Sequence, residues 1–255
     1  MHKALGLLDR FEFTPRGLAE EPALEDSRRR LNSRYLDAAR AGDFRGFVQA
    51  VVDGAEVDCR TLRGQNALML AAGAPKKASL QVISFLLEVK GNPEVADDHG
   101  WTPLLYSCRN NSQEAAEMLL KSRANLMSRS HDGQTAAMLA ATESGDALVM
   151  RLASLRIGIE KVDRRGWTLI FYAVEHGRDE LVKYLIKRKA QVDHKSKDKT
   201  SCMMLAAEKG FLKIAKLLVA KGAVINTRNM NGNTPLMISV LAMQEKFATY
   251  LVEIQ

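Results

Sequence analysis

The chain has 255 residues, 46% of them hydrophobic, and its 37 lysines and arginines against 30 aspartates and glutamates leave a formal net charge of +7. Its three cysteines, Cys59, Cys108 and Cys202, are too few and too scattered for a disulfide framework or a metal cluster. No apolar run approaches the roughly 20 residues of a membrane span, and no secretory core opens the chain, so the expected localisation is cytoplasmic or nuclear.

Residues 1–30 read as an N-terminal extension. Ala4 to Phe11 has the pattern of a short amphipathic helix, and Leu5, Leu8, Phe11 and Phe13 either dock on a partner or on the next unit, or belong to a flexible tail. Glu20 to Arg30 is highly charged and expected to be exposed.

From residue 31 a single phrase recurs. Gly64, Gly100, Gly133, Gly166 and Gly232 open it, Lys199 fills the one missing beat, and the steps run 36, 33, 33, 33 and 33. Two residues after each opening stand Asn66, Thr102, Thr135, Thr168, Ser201 and Thr234, with Ser33 in the same role in the first unit; all favour a helix N-cap. Pro103 and Pro235 then take the first helical position, where the missing N–H has no partner to lose. Small residues such as Ala71-Ala72, Ser107-Cys108 and Ala206-Ala207 let a second helix approach closely. Gly42, Asn111, Gly177 and Gly210 are placed to make the left-handed turn between the two helices. An insertion at Gly73 to Lys77 lengthens that turn in the second unit. One such unit cannot bury its apolar face alone, so the pattern predicts stacking of units bounded at 31–61, 62–97, 98–130, 131–163, 164–196, 197–229 and 230–255.

A 33-residue period around a T-P-L-x-x-A core resembles the ankyrin repeat. The resemblance implies an all-α ankyrin-repeat solenoid of helix-turn-helix units joined by hairpin-like loops. Two departures stand out. Where the family usually has histidine after T-P-L, this chain has Met69, Leu105, Met138, Phe171, Met204 and Met237, so apolar packing is expected to replace a polar brace. The glycine that ends the second helix is read at Gly54, Gly91 and Gly222, but Arg123, Arg156 and Lys189 stand there in the middle units. A left-handed conformation at those three costs on the order of 1 kcal/mol each relative to glycine, which predicts softer middle repeats. The three cysteines are expected at helix-core positions, reduced.

The residues do not converge on a catalytic constellation, and no cofactor is implied. His2, His99, His131, His176 and His194 are scattered, although His99 and His131 read as equivalent hairpin positions and hence surface neighbours. The expected function is therefore a non-catalytic scaffold or adaptor. In the ankyrin family the variable positions beside the glycine and at the end of the first helix line a concave binding face. They correspond here to Asp98, His99, Trp101, Arg109 and Asn110; His131, Asp132, Gln134, Thr142 and Glu143; Arg164, Arg165, Trp167, Glu175 and His176; and Lys197, Asp198, Thr200, Glu208 and Lys209. The only two tryptophans occupy one slot two repeats apart, either as binding anchors or as covers for a neighbouring hairpin. Residues 156–228 hold 17 Lys/Arg against 8 Asp/Glu, a net +9, while the rest sums to 20 minus 22, or −2. The partner read from this is a protein with an acidic or mixed-charge segment. Nucleic acid or another anionic surface is the alternative, as is a regulatory module within a larger assembly, and the chain alone is expected to be monomeric.

Overall fold

The computed structural model describes residues 22–74, 79–142, 146–155 and 158–254. Ala4 to Phe11 and Arg156 therefore lie outside the described residues, as do most of the residues of the insertion after Gly73. The described secondary structure is helical and comes in antiparallel pairs, apart from two isolated antiparallel bridges, Arg129 with Thr135 and Lys195 with Ser201. The pairs are α1 (Pro22–Ala41) with α2 (Phe44–Val52), α3 (Ala67–Ala72) with α4 (Ser79–Glu88), α5 (Pro103–Arg109) with α6 (Gln113–Lys121), and α7 (Ala136–Ala140) with α8 (Asp146–Ser154). They continue with α9 (Leu169–Glu175) and α10 (Asp179–Lys187), α11 (Cys202–Lys209) and α12 (Leu212–Val219), and α13 (Pro235–Leu241) and α14 (Glu245–Glu253). The first helix of each pair packs on the first helix of the next, so one core runs the length of the array.

Cap chemistry sets where these helices start. Asn66, Thr102, Thr135, Ser201 and Thr234 each accept the backbone N–H three residues on, at 2.9, 3.5, 3.3, 3.3 and 3.3 Å. Thr168 has the same extended backbone but makes no such bond, and its buried Oγ1 has no partner among the described residues. Ser33 does not cap at all. It lies inside α1, which begins by Pro22 and so crosses the expected boundary at residue 30. Glu25 with Arg29 and Asp26 with Arg30, four apart at 2.8 and 2.7 Å, carry that helix forward, and Ser33 Oγ donates to Asp37 instead.

In four of the pairs the turn between the helices is left-handed at Gly42, Asn111, Gly177 and Gly210, with φ of 69°, 51°, 64° and 72°, and in the last pair it is left-handed at Met243, with φ of 55°. At the ends of the second helices Gly54, Arg123, Lys189 and Gly222 are left-handed as expected, but in the second unit the residue is Lys90 (φ 63°), not Gly91. Gly91 does another job: its N–H returns to Leu86 O at 2.8 Å, the bond that Ala55, Ala124, Ala190 and Ala223 make in their own units.

Met69, Leu105, Met138, Phe171 and Met204 are buried as expected, while Met237 is 45% exposed because no further unit among the described residues covers α13. Val240, Leu241 and Met243 are exposed on the same unit. Cys108 and Cys202 are buried free thiols of α5 and α11, and burial pushes the Cys108 thiol up to about 12. Cys59 is also free but half-buried, in the loop after α2 rather than in a helix.

The two threonine caps make opposite predictions. Thr135→Val removes a working cap and should cost about 1 kcal/mol. Thr168→Val removes a buried hydroxyl with no partner and should gain about 1 kcal/mol at equal volume. Urea denaturation of the two variants beside the wild type reads the sign.

Candidate functional site: the hairpin edge and its groove

The loops between units form an edge built by one repeated contact. Asp98 N donates to Arg63 O, His131 N to His99 O, Arg164 N to Asp132 O, Lys197 N to Arg165 O and Met230 N to Asp198 O, at 3.2, 2.8, 2.8, 2.9 and 2.9 Å. The residue three before each opening stiffens its own loop. Asp97 Oδ1 accepts from His99 N and Trp101 N at 2.9 and 2.8 Å, and Asp163 Oδ1 accepts from Arg165 N and Trp167 N at 2.8 Å each. Thr61, Ser130 and Asn229 accept N–H groups in the same place. In the loop that opens with Lys199, Ser196 instead donates to Asp198, whose carboxyl also accepts Thr200 Oγ1 at 2.8 Å. Partial burial works against that carboxylate, but these donors hold Asp198 below the usual carboxylate range.

Two loops carry a larger frame. Gln65 Nε2 donates to Tyr106 Oη at 2.6 Å, and Tyr106 Oη donates to Asp97 Oδ2 at 2.6 Å. Gln134 Nε2 donates to Tyr172 Oη at 3.0 Å, and Tyr172 Oη donates to Asp163 Oδ2 at 2.9 Å. Trp101 packs on Tyr106 with ring centroids 5.2 Å apart, and Trp167 packs on Phe171 and Tyr172 at 5.6 and 5.8 Å. Each frame thus ties one unit to the next through a tyrosine. In the second frame Arg165 lies with its guanidinium carbon 3.8 Å from the Trp167 ring centre, donates to Asp163 Oδ2 at 3.2 Å and to Tyr172 Oη at 3.3 Å, and remains exposed.

Of the residues expected on the binding face, Asp98, His99, His131, Asp132, Arg164, Arg165 and Lys197 come together as exposed positions along the edge. Trp101, Gln134 and Trp167 are half-buried beneath it, inside the frames. Arg109, His176 and Lys209 sit at the ends of the first helices, where Lys209 Nζ is 3.2 Å from Glu175. Glu143 lies outside the described residues. His99 and His131 are neighbours but not equivalents: His131 stands two residues before its glycine and His99 one, so His99 matches Asp132 and Arg165. Gln65, Asp97, Tyr106, Asp163 and Tyr172 went unrecognised in the sequence. Their signal was a second period, since Asp97 and Asp163, Trp101 and Trp167, and Tyr106 and Tyr172 are each 66 apart.

Burial, and the hydrogen bond to Asp97 after it, push the Tyr106 hydroxyl from 10.0 up to about 12. A hydroxyl held neutral in the folded state contributes stability that is complete below pH 10 and is lost as pH rises through about 12. Burial raises Tyr35 and Tyr172 as well, so absorbance titration of tyrosinate should show several residues ionising late, and Tyr106→Phe should remove one of them, near pH 12, and lessen the alkaline loss of stability.

A family model described as ankyrin repeats (3 copies) matches residues 36–130, 122–198 and 188–255. Ankyrin repeat domain-containing protein 63 of Homo sapiens is 30% identical over 90 residues, 34% of this chain and 24% of that protein, so the chain spans about a quarter of that relative's length. A putative ankyrin repeat protein of Rickettsia felis is 40% identical over 47 residues, 18% of this chain and 75% of its own. Among solved structures, the ankyrin repeat domain of human ASB11 superposes with a TM-score of 0.74 at 21% identity, covering 85% of this chain and 96% of that one. The ankyrin repeat domain of Bcl-3 gives 0.67 at 24% identity, covering 86% and 97%. The repeat phrase, the stacked helix pairs and these matches agree: the chain belongs to the ankyrin-repeat family, whose arrays generally mediate protein–protein contacts.

Proposed function

We propose that this chain is a non-catalytic scaffold or adaptor of the cytosol or nucleus that holds an acidic or mixed-charge segment of a partner protein along the edge and groove of its middle and later repeats. One observation carries the reading: Arg165 is exposed yet fixed, laid on Trp167 and tethered to Asp163 and Tyr172. Ordering a long arginine normally costs rotamer entropy, and here that cost is met before a partner arrives. Lys197 follows on the edge, and Arg164 stands beside it with its exposed partner Asp132 at 3.7 Å, a pair that a competing carboxylate can replace cheaply. The excess of +9 between residues 156 and 228 supplies the long-range attraction.

Affinity capture with mass spectrometry, with and without nuclease, identifies the partner, and titration then separates the roles. Arg165→Ala and Trp167→Ala should each weaken binding by about 2 kcal/mol, the hot-spot range, with the helical signal unchanged. Lys197→Ala should act chiefly on association rate and salt sensitivity. Wild-type binding by both of the first two variants removes this reading. A steep log-log salt slope with nuclease-sensitive capture replaces it with nucleic-acid binding through the basic loops Lys187 to Lys189 and Lys195 to Lys199.

A further inference from the structure

We infer that the N-terminal end of the groove holds a second and separate binding pocket, which takes a short peptide segment pairing an apolar side chain with a carboxylate. The cavity has a volume of about 660 Å³ and lies between the loop of the first two units and the ends of the first helices of the first three. None of its contacts depends on Arg165 or the later repeats.

Its wall is rigid. Tyr106 Oη is engaged on both sides, by Gln65 and by Asp97, and Asn110 Nδ2 donates to Tyr106 O at 3.1 Å, so neither side chain is free to swing into the space. Its floor is opened by Gly73. A Cβ there would come within 3.3 Å of Tyr106 Cδ1 and 3.5 Å of Asn110 Nδ2, so any larger residue narrows the cavity against the wall. The apolar part of the lining is Met69, Leu70, the Tyr106 ring and Leu62. Leu62 is fully exposed at the rim, a position where a leucine gains nothing from the fold itself. The polar part is basic: Arg40 and Arg63 line the cavity, both exposed, and no acidic residue does among the described residues. The carboxylate nearest Arg40, that of Asp37, is 3.9 Å away and itself exposed, a weak competitor for a ligand.

The second frame makes the contrast. In repeats 4 and 5 the same Gln–Tyr–Asp arrangement recurs, but the positions matching Leu62, Arg63, Gly73 and Asn110 hold His131, Asp132, Thr142 and His176. The scaffold is the same and the chemistry is not. An apolar rim beside Arg63 therefore distinguishes the first frame from the second, and it fits an acidic peptide carrying a leucine-like side chain better than an inorganic anion, which has no use for Leu62 or the Tyr106 face.

The probe is a fluorescein-labelled peptide of alternating leucine and glutamate, read by anisotropy against the full chain, beside a serine–glutamate and a leucine–lysine peptide. The leucine–glutamate peptide should bind at least about tenfold more tightly than either control. Arg63→Glu and Leu62→Ser should each lose about tenfold in affinity, Arg63→Lys should retain most of it, and these effects should persist when every variant is remade on Arg165→Ala. That background keeps the failure of this pocket distinct from failure of the later-repeat reading. Equal binding of the three peptides, no binding at all, unaltered affinity in Arg63→Glu, or displacement by inorganic phosphate overturns the assignment. A thermal melt of each variant confirms that the array is folded.

Discussion

Adjacent loops hang on one another by a single backbone hydrogen bond, and the rest of the array is arranged so that this bond can form. It goes with a left-handed conformation at the opening residue of each loop, and at some of them with a lack of room for any side chain toward the next loop. At Gly100 an added Cβ would stand 2.9 Å from His131 N, and at Gly166 it would stand 2.9 Å from Lys197 N. The glycine is thus required twice, by φ and by clearance. The loop opening with Lys199 (φ 62°) has given up the first economy, at a cost of about 1 kcal/mol. It holds its shape through the bonds of Ser196 and Thr200 to Asp198, a local network that the glycine loops lack.

With the loops fixed, the first helices stand close enough to bury nearly everything they carry. Ala136 to Ala140 and Leu169 to Val174 are buried almost without exception, which explains why alanine, serine and cysteine recur there. Where neighbouring units meet at polar residues, the contact is satisfied: Arg178, whose side chain is 8% exposed, reaches back to Asp146 at 2.5 Å and ties α10 to α8. The last unit shows what the neighbour contributes. Met237 occupies the slot that is sealed at Met69, Met138 and Met204, yet it stays open together with Val240 and Leu241.

The fold was legible because the repeat writes the same caps and turns many times, so one irregular unit barely disturbs the period. Failures came where a single position had to be judged alone. Ser33 has the right residue type for a cap, but the i,i+4 pairs upstream of it keep the helix going, and residue type says nothing about that. Gly91 attracted the left-handed turn that Lys90 makes, because propensity points at the glycine while the helix end is set by which N–H reaches Leu86 O. The two tryptophans, read from the sequence either as binding anchors or as covers for a neighbouring hairpin, lie half-buried against Tyr106 and Tyr172. Those tyrosines lie in helices, where a pattern search sees only another apolar position.

The 66-residue spacing gives the array a second level of organisation. A glutamine from one unit, and an aspartate, a tryptophan and a tyrosine from the next, build the same frame twice, once across repeats 2 and 3 and once across repeats 4 and 5. A frame of this kind restricts its own members, because every hydrogen-bonding atom of the tyrosine hydroxyl is committed and the indole is pinned beneath the loop. It leaves open which side chains stand one and two before each glycine, since the glutamine, tyrosine and aspartate complete the frame without them. In the first frame one of those positions is His99, and in the second it is Arg165, which the frame itself immobilises on Trp167. The same framework can therefore hold still whatever side chain the loop presents. On the function proposed above, recognition divides between the frame, which sets position, and the few loop residues that set charge and shape.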